Sequence, residues 1–150
     1  MWFMNHLINP LVRLILKSRL HRMMSAAVLL LIYRGRKSGK EYQLPVQYVQ
    51  DGKLIYILPG APEKKTWWRN LSGGTAVQLV LRGKTLAGQA GLQRGKADEV
   101  AMTDALGIYF RRFPAAAKLH QVNAAPDGSY APEDLRLAAQ SVILVRVNLD

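Results

Sequence analysis

The chain has no cysteine and few acidic residues, and both shortages limit what it can do. The absence of cysteine excludes disulfides and thiolate chemistry. Only 10 aspartates and glutamates stand against 21 lysines and arginines, so the formal net charge is +11. A mechanism based on paired carboxylates therefore has few groups to use. The excess of positive charge predicts an anionic partner.

Metal ligands and the common nucleophile motifs are also missing. The three histidines, His6, His21 and His120, are scattered and lack acidic neighbours at metal-ligand spacing, so we expect no metal site. The sequence contains neither a G-x-S-x-G elbow nor an S-x-x-K motif. If the protein is an enzyme, we expect a cofactor to carry the reactivity while the protein supplies position and charge.

The first 25 residues read as one basic amphipathic helix. Asn9 and Pro10 form a good helix start, and cations such as Arg13 and Lys17 interrupt the apolar residues. No apolar run reaches the roughly 18–20 residues of a membrane span, and no secretion signal is recognisable. We therefore expect a cytoplasmic protein whose N-terminal helix packs on the domain. Peripheral contact of this helix with the inner face of the membrane is the alternative.

The rest of the chain predicts an α+β fold in one domain over residues 1–150. Hairpins predominate early and there is no βαβ alternation, which argues against a Rossmann fold. A small, mostly antiparallel barrel of about six strands with helices outside it fits better. Pro45 lies inside the second strand and predicts an edge or a bulge there. The predicted strands are 28–33, 42–49, 54–58, 76–81, 85–92 and 142–147, and the predicted helices are 63–71, 96–113 and 132–140.

A tight basic turn at 34–40 is the strongest functional signal. It follows a buried strand and carries two glycines, one serine and four cations. Backbone N–H groups and fixed positive charge in such a turn suit a phosphate. The turn is not a P-loop, because Gly35 and Gly39 are one residue too close and Glu41 follows Lys40. A solvated basic loop is the competing interpretation.

Two further segments could complete a binding site. The backbone of residues 44–47 could lie against a planar ring. In residues 63–71 two lysines lie beside the adjacent pair Trp67 and Trp68. Neighbouring helical residues diverge by roughly 100°, so one tryptophan can enter the core while the other faces a groove.

Taken in order, these segments resemble the deazaflavin-dependent nitroreductase and quinone reductase family. The resemblance rests on the 35–39 turn, on Pro45, on the Asp51-Gly52 hairpin and on residues 63–71. It extends from about 28 to 81. It implies a split β-barrel that uses the deazaflavin coenzyme F420, an anionic partner that suits the net charge.

The resemblance also implies roles for particular residues. Arg36, Lys37, Ser38 and Gly39 would hold the coenzyme phosphate, and Lys64 or Lys65 would assist with the phosphate or the anionic tail. The ring would lie against Leu44, Pro45, Val46 and Gln47, and Trp67, Trp68 and Asn70 would shape the pocket. Tyr109 and Tyr130 are weak candidates for a proton donor. No metal ligand is implied.

The implied reaction is hydride transfer from reduced F420 to a quinone, a nitro compound or a similar flat acceptor. One alternative is an oxidoreductase of the same fold that binds FMN. Another is a non-enzymatic protein that binds anionic ligands or a membrane surface. The expected partner is a small-molecule electron acceptor, with a homodimer left open and no nucleic acid expected.

Overall fold

Seven antiparallel strands form one curled sheet in the structure, a computed structural model that describes residues 26–150. The sheet order is β2-β1-β5-β6-β7-β4-β3, and every neighbouring pair is antiparallel. The predicted barrel class is confirmed. The predicted N-terminal helix at 1–25 lies outside the described residues. The strands are β1 (Val28–Arg34), β2 (Glu41–Gln47), β3 (Val49–Asp51), β4 (Leu54–Ile57), β5 (Thr75–Leu81), β6 (Lys84–Arg94) and β7 (Ile143–Leu149).

A single residue forces the sheet to curl. Tyr48 is all that separates β2 from β3, yet these strands form the two opposite edges of the sheet. Laid flat, six inter-strand spacings would put the edges about 29 Å apart, far beyond the reach of one residue. The edges must therefore come together, and the Tyr48 N–H donates to the Ala27 carbonyl at 3.1 Å. The single predicted strand at 42–49 was wrong at this point, and its division raises the strand number from six to seven.

Pro45 lies where the sequence predicted, in an edge strand. It is opposite Leu30 of β1, and β2 has no second neighbour in the sheet order. Because proline has no N–H to donate, an edge position is the one that a sheet tolerates.

Side chains alternate between the two faces of each strand, and this alternation separates an inner core from an outer core. Leu29, Leu31 and Tyr33 of β1 point into the barrel, where a 3₁₀ helix (Trp67–Leu71) closes the core with Trp68 and Leu71. This 3₁₀ helix covers only the last five residues of the helix predicted at 63–71. The Pro59–Pro62 segment precedes the predicted helix, and its first residues lie in a turn.

Three helices pack on the outer face of the sheet. They are α1 (Glu99–Arg112), α2 (Pro114–Leu119) and α3 (Pro132–Ser141), and their apolar faces form a second core with Leu144 of β7. A short 3₁₀ helix (Lys96–Asp98) precedes α1. Pro114 ends α1 as predicted, but it also starts α2, because proline suits the first helical position. Among residues 26–150, none of the helices has the length and apolar character needed to cross a bilayer.

Candidate functional site

The basic turn between β1 and β2 closes on itself through its own backbone. The Gly39 N–H donates to the Gly35 carbonyl at 2.8 Å, and the Gly35 N–H donates to the Lys40 carbonyl, also at 2.8 Å. Gly39 has a φ of 69°, which glycine adopts readily and other residues resist. The chain thus makes one compact loop at the end of the hairpin, with Arg36, Lys37 and Ser38 at its exposed tip.

At this tip the backbone N–H groups of Lys37 and Ser38 have no protein acceptor, whereas those of Arg36 and Lys40 do. The Arg36 N–H donates to the Asn70 Oδ1 at 2.9 Å, and the Lys40 N–H donates to the Ser38 Oγ at 3.2 Å. Within the described part of the chain, the N–H groups of Lys37 and Ser38 donate to no protein atom. Consecutive free N–H groups beside two cations suit an oxyanion.

Asn70 connects this turn to the 3₁₀ helix. Its Oδ1 accepts from Arg36, while its Nδ2 donates to the Trp67 carbonyl at 2.9 Å. Both ends of the amide are therefore used, which fixes its orientation. Two segments that the sequence separates by more than 30 residues are brought together by this one side chain.

Two side chains of the hairpin pack closely against Gly35. A Cβ there would lie 2.8 Å from the Ser38 Oγ and 2.9 Å from the Tyr42 Cε2. A side chain at this position would therefore require the Ser38 and Tyr42 side chains to shift. The close packing also positions the Ser38 hydroxyl, which lies 3.5 Å from the Tyr42 hydroxyl.

An aromatic wall lies next to the turn, and sequence reasoning missed two of its members. Tyr33 and Tyr42 stack with centroids 5.6 Å apart, and Trp67 lies 6.3 Å from Tyr33 at an angle of 41°. Tyr33 is buried, whereas Tyr42 is 43% exposed. Their places on either side of the hairpin turn could have predicted the pair, because residues opposite each other share a face of the sheet.

Burial of Tyr33 makes protein stability sensitive to alkaline pH. Desolvation, with a smaller contribution from Tyr42, raises the pKa of Tyr33 to about 12. Because the unfolded phenol ionises near pH 10, its contribution to stability is complete below pH 10 and is lost as the pH rises towards 12. We expect the free energy of unfolding to fall over this range, and to fall less steeply in Tyr33→Phe. Urea titrations at several pH values would measure both slopes, and equal slopes would contradict the assignment.

The proposed ring-binding residues of β2 divide between the two faces of the sheet. Leu44 and Val46 pack against the inner core, opposite Leu31 and Leu29. Pro45 and Gln47 alternate with them and point to the other face. A ring inside the barrel could therefore meet the side chains of the first pair, but only the backbone of the second.

The two tryptophans diverge, as their spacing suggested. Trp68 is 5% exposed and donates from its Nε1 to the Pro62 carbonyl at 3.1 Å, so it belongs to the core. Trp67 is only partly buried and joins the aromatic wall. Lys64 and Lys65 are exposed, and both of their N–H groups donate to one carbonyl, that of Ala61. Their ammonium groups are thus available to an anionic ligand.

The two candidate proton donors lie elsewhere. Tyr109 and Tyr130 belong to the core beneath the helices, not to the cluster around the turn. Burial raises the pKa of Tyr109 to about 12, and its hydroxyl is hydrogen-bonded to the backbone of Leu58. The Tyr130 hydroxyl donates to the Phe110 carbonyl at 2.9 Å. The structure does not bring either hydroxyl to the turn. Residues 26–150 also contain no cluster of three or more potential metal ligands.

Comparison with known proteins gives one family and several structural relatives. The model of the F420H(2)-dependent quinone reductase family matches residues 17–104. No curated protein matches the chain. A solved F420-H2 dependent reductase (FDR-A) superposes with a TM-score of 0.56 at 16% identity, covering 81% of this chain and 94% of that one. A structure described as a domain-swapped dimer gives 0.58 at 14% identity, covering 94% and 96%. At these identities the structural matches establish the fold.

Proposed function

Because the chain belongs to the F420H(2)-dependent quinone reductase family, whose model matches more than half of its length, we propose that it reduces a quinone. The protein is an oxidoreductase and its cofactor is F420. The observation that carries the placement of the cofactor is the basic turn with its two unpaired N–H groups. The electron acceptor and the roles of individual residues are parts of the proposal.

The turn has the chemistry that the phosphodiester of F420 requires. The N–H groups of Lys37 and Ser38 and the Ser38 hydroxyl would donate to the phosphate oxygens, with Arg36 and Lys37 balancing the charge. The absence of a Cβ at Gly35 leaves room for the Ser38 hydroxyl beside these N–H groups. Lys64 and Lys65 would meet the carboxylates of the tail.

Bound F420, in its reduced form, would supply a hydride from its deazaflavin ring. The protein's part is to position that ring and keep water away from it. Leu44 and Val46 would form an apolar floor, and Trp67 with Tyr33 and Tyr42 would form the wall. A flat quinone could stack in the same aromatic environment, since rings prefer offset stacking with centroids 4.5–7 Å apart.

The acceptor is tested by following oxidation of reduced F420 without oxygen. A soluble benzoquinone and a nitroaromatic compound are compared at equal concentrations with the same enzyme. The proposal predicts a higher kcat/KM for the quinone. A higher value for the nitro compound would contradict the quinone proposal while leaving the F420-dependent reductase in place.

Charge reversal in the turn tests the phosphate site. Lys37→Glu removes a charged donor and places a carboxylate beside the phosphate, so we expect F420 affinity to fall by about 10–100-fold. Lys118→Glu, an exposed lysine of α2, is the matched control because it changes the net charge equally. Fluorescence titration at moderate salt measures both. Equal F420 affinities of the two variants would show that the phosphate does not bind at the turn.

A cytoplasmic location and a homodimer complete the proposal. The solved relative described as a domain-swapped dimer supports testing the second of these. Light scattering on the purified protein measures the mass directly. A mass of about 17 kDa rather than twice that value would exclude the dimer under those conditions.

A further inference from the structure

The outer face of β6 and β7 carries a polar cleft away from the turn. Alternation sends Ala90 and Val145 into the inner core, so Gly91 and Arg146, which are opposite each other, face outward. Gln93 lies on the same outer face. Together with Asp98 these residues line a cavity of about 370 Å³. The cofactor turn lies instead between β1 and β2, beside the inner core.

Two side chains that line this cleft each have a buried polar atom without a partner. Gln93 is 9% exposed, and its side-chain Oε1 is buried without a hydrogen bond. The Nε of Arg146 is buried and unpaired in the same way. Within the described residues the Arg146 guanidinium makes no ion pair. Buried polar groups almost always have partners, so these two side chains have unused hydrogen-bonding capacity that could serve a group bound in the cleft.

The surroundings limit what this group can be. A Cβ at Gly91 would meet nothing within 4 Å, so the floor of the cleft is open beside Arg146. The Asp98 Oδ2 accepts from the Arg94 N–H at 3.2 Å and leaves its second oxygen free. A planar guanidinium suits a carboxylate, whereas the Gln93 Oε1 and the Asp98 carboxylate both require a donor.

We propose that this cleft binds a small carboxylic acid whose α-carbon carries an N–H or O–H donor. The carboxylate pairs with Arg146, and the α-donor pairs with the Gln93 Oε1 once the Gln93 side chain rotates towards the cleft, with Asp98 favouring an ammonium over a hydroxyl. α-Amino acids and α-hydroxy acids share this chemistry. The site does not depend on the proposed acceptor or on the cofactor.

Three matched probes test the site. L-Alanine, L-lactate and propionate share a three-carbon acid and differ in the α-group. Titrations of the ¹⁵N-labelled protein follow the Gly91 backbone amide and the Gln93 side-chain amide. We expect saturable shifts with alanine, lactate or both, and at least about tenfold weaker binding of propionate, because the Gln93 acceptor then stays unpaired. No shift with any probe, or equal affinity for propionate, would overturn the proposal.

Variants identify the residues responsible. Arg146→Met should abolish the shifts, while Gln93→Met should leave binding of propionate but remove the preference for alanine. F420 affinity and circular dichroism serve as controls, because neither residue touches the turn. If Arg146→Met fails to fold, the Gln93→Met variant alone tests the proposed site. Retention of the alanine preference in that variant would contradict the assigned contact.

Discussion

Replacing Asn70 by leucine is expected to weaken F420 binding by about tenfold or more while the protein stays folded. The side chain makes two hydrogen bonds, from the Arg36 N–H and to the Trp67 carbonyl, both at 2.9 Å. Loss of two neutral hydrogen bonds costs about 1–3 kcal/mol. The cost falls on binding because the turn is exposed and its position relative to the 3₁₀ helix depends on this amide.

The experiment compares two asparagines. Asn123→Leu is the control, because Asn123 is exposed and has no hydrogen bond in the described structure. F420 affinity is measured by fluorescence, and folding by circular dichroism and urea unfolding. If Asn70→Leu binds F420 as tightly as Asn123→Leu, Asn70 does not organise the phosphate site.

Gly88→Ala is expected to destabilise the protein by about 1–3 kcal/mol, the usual cost of overpacking a core. A Cβ at Gly88 would lie 2.8 Å from the backbone oxygen of Asn148 and 2.9 Å from the Val147 Cγ1. A backbone atom cannot rotate away, so β6 and β7 would have to separate. These strands form one of the longest pairings in the sheet.

Gly91→Ala supplies the matched control in the same strand. Its Cβ would meet nothing within 4 Å, and alanine lowers the entropy of the unfolded chain relative to glycine. We expect its free energy of unfolding to equal or slightly exceed that of the parent. Urea denaturation of the two variants measures the difference, and equal stabilities would show that β6 and β7 do not approach this closely at Gly88.

Features set by neighbouring residues could be predicted from the sequence. The hairpin turn, the edge position of Pro45 and the divergence of Trp67 and Trp68 all follow from local geometry. The helix at 132–140 was predicted within one residue of the observed α3 (Pro132–Ser141) because Pro132 marks its start.

Features that depend on contacts between residues far apart in the sequence could not be predicted. The alternation of apolar and polar residues continues to Tyr48 and breaks at the apolar Val49. This break could have indicated an interruption of the strand, but not that the chain passes there from one sheet edge to the other. The bond between Arg36 and Asn70 joins residues 34 apart. Tyr109 and Tyr130 are aromatic hydroxyls in the sequence, and only the packing of α1 shows that both are bonded to the backbone beneath the helices, Tyr109 to Leu58 and Tyr130 to the Phe110 carbonyl.

The basic turn at 34–40 is expected to bind the phosphate of F420. The most direct test compares the affinity of the parent protein for F420 and for the same deazaflavin chromophore without its phosphodiester and tail. We expect F420 to bind at least about tenfold tighter, and Lys37→Glu to remove most of this difference. Equal affinity for the two compounds would show that the turn contributes nothing to cofactor binding.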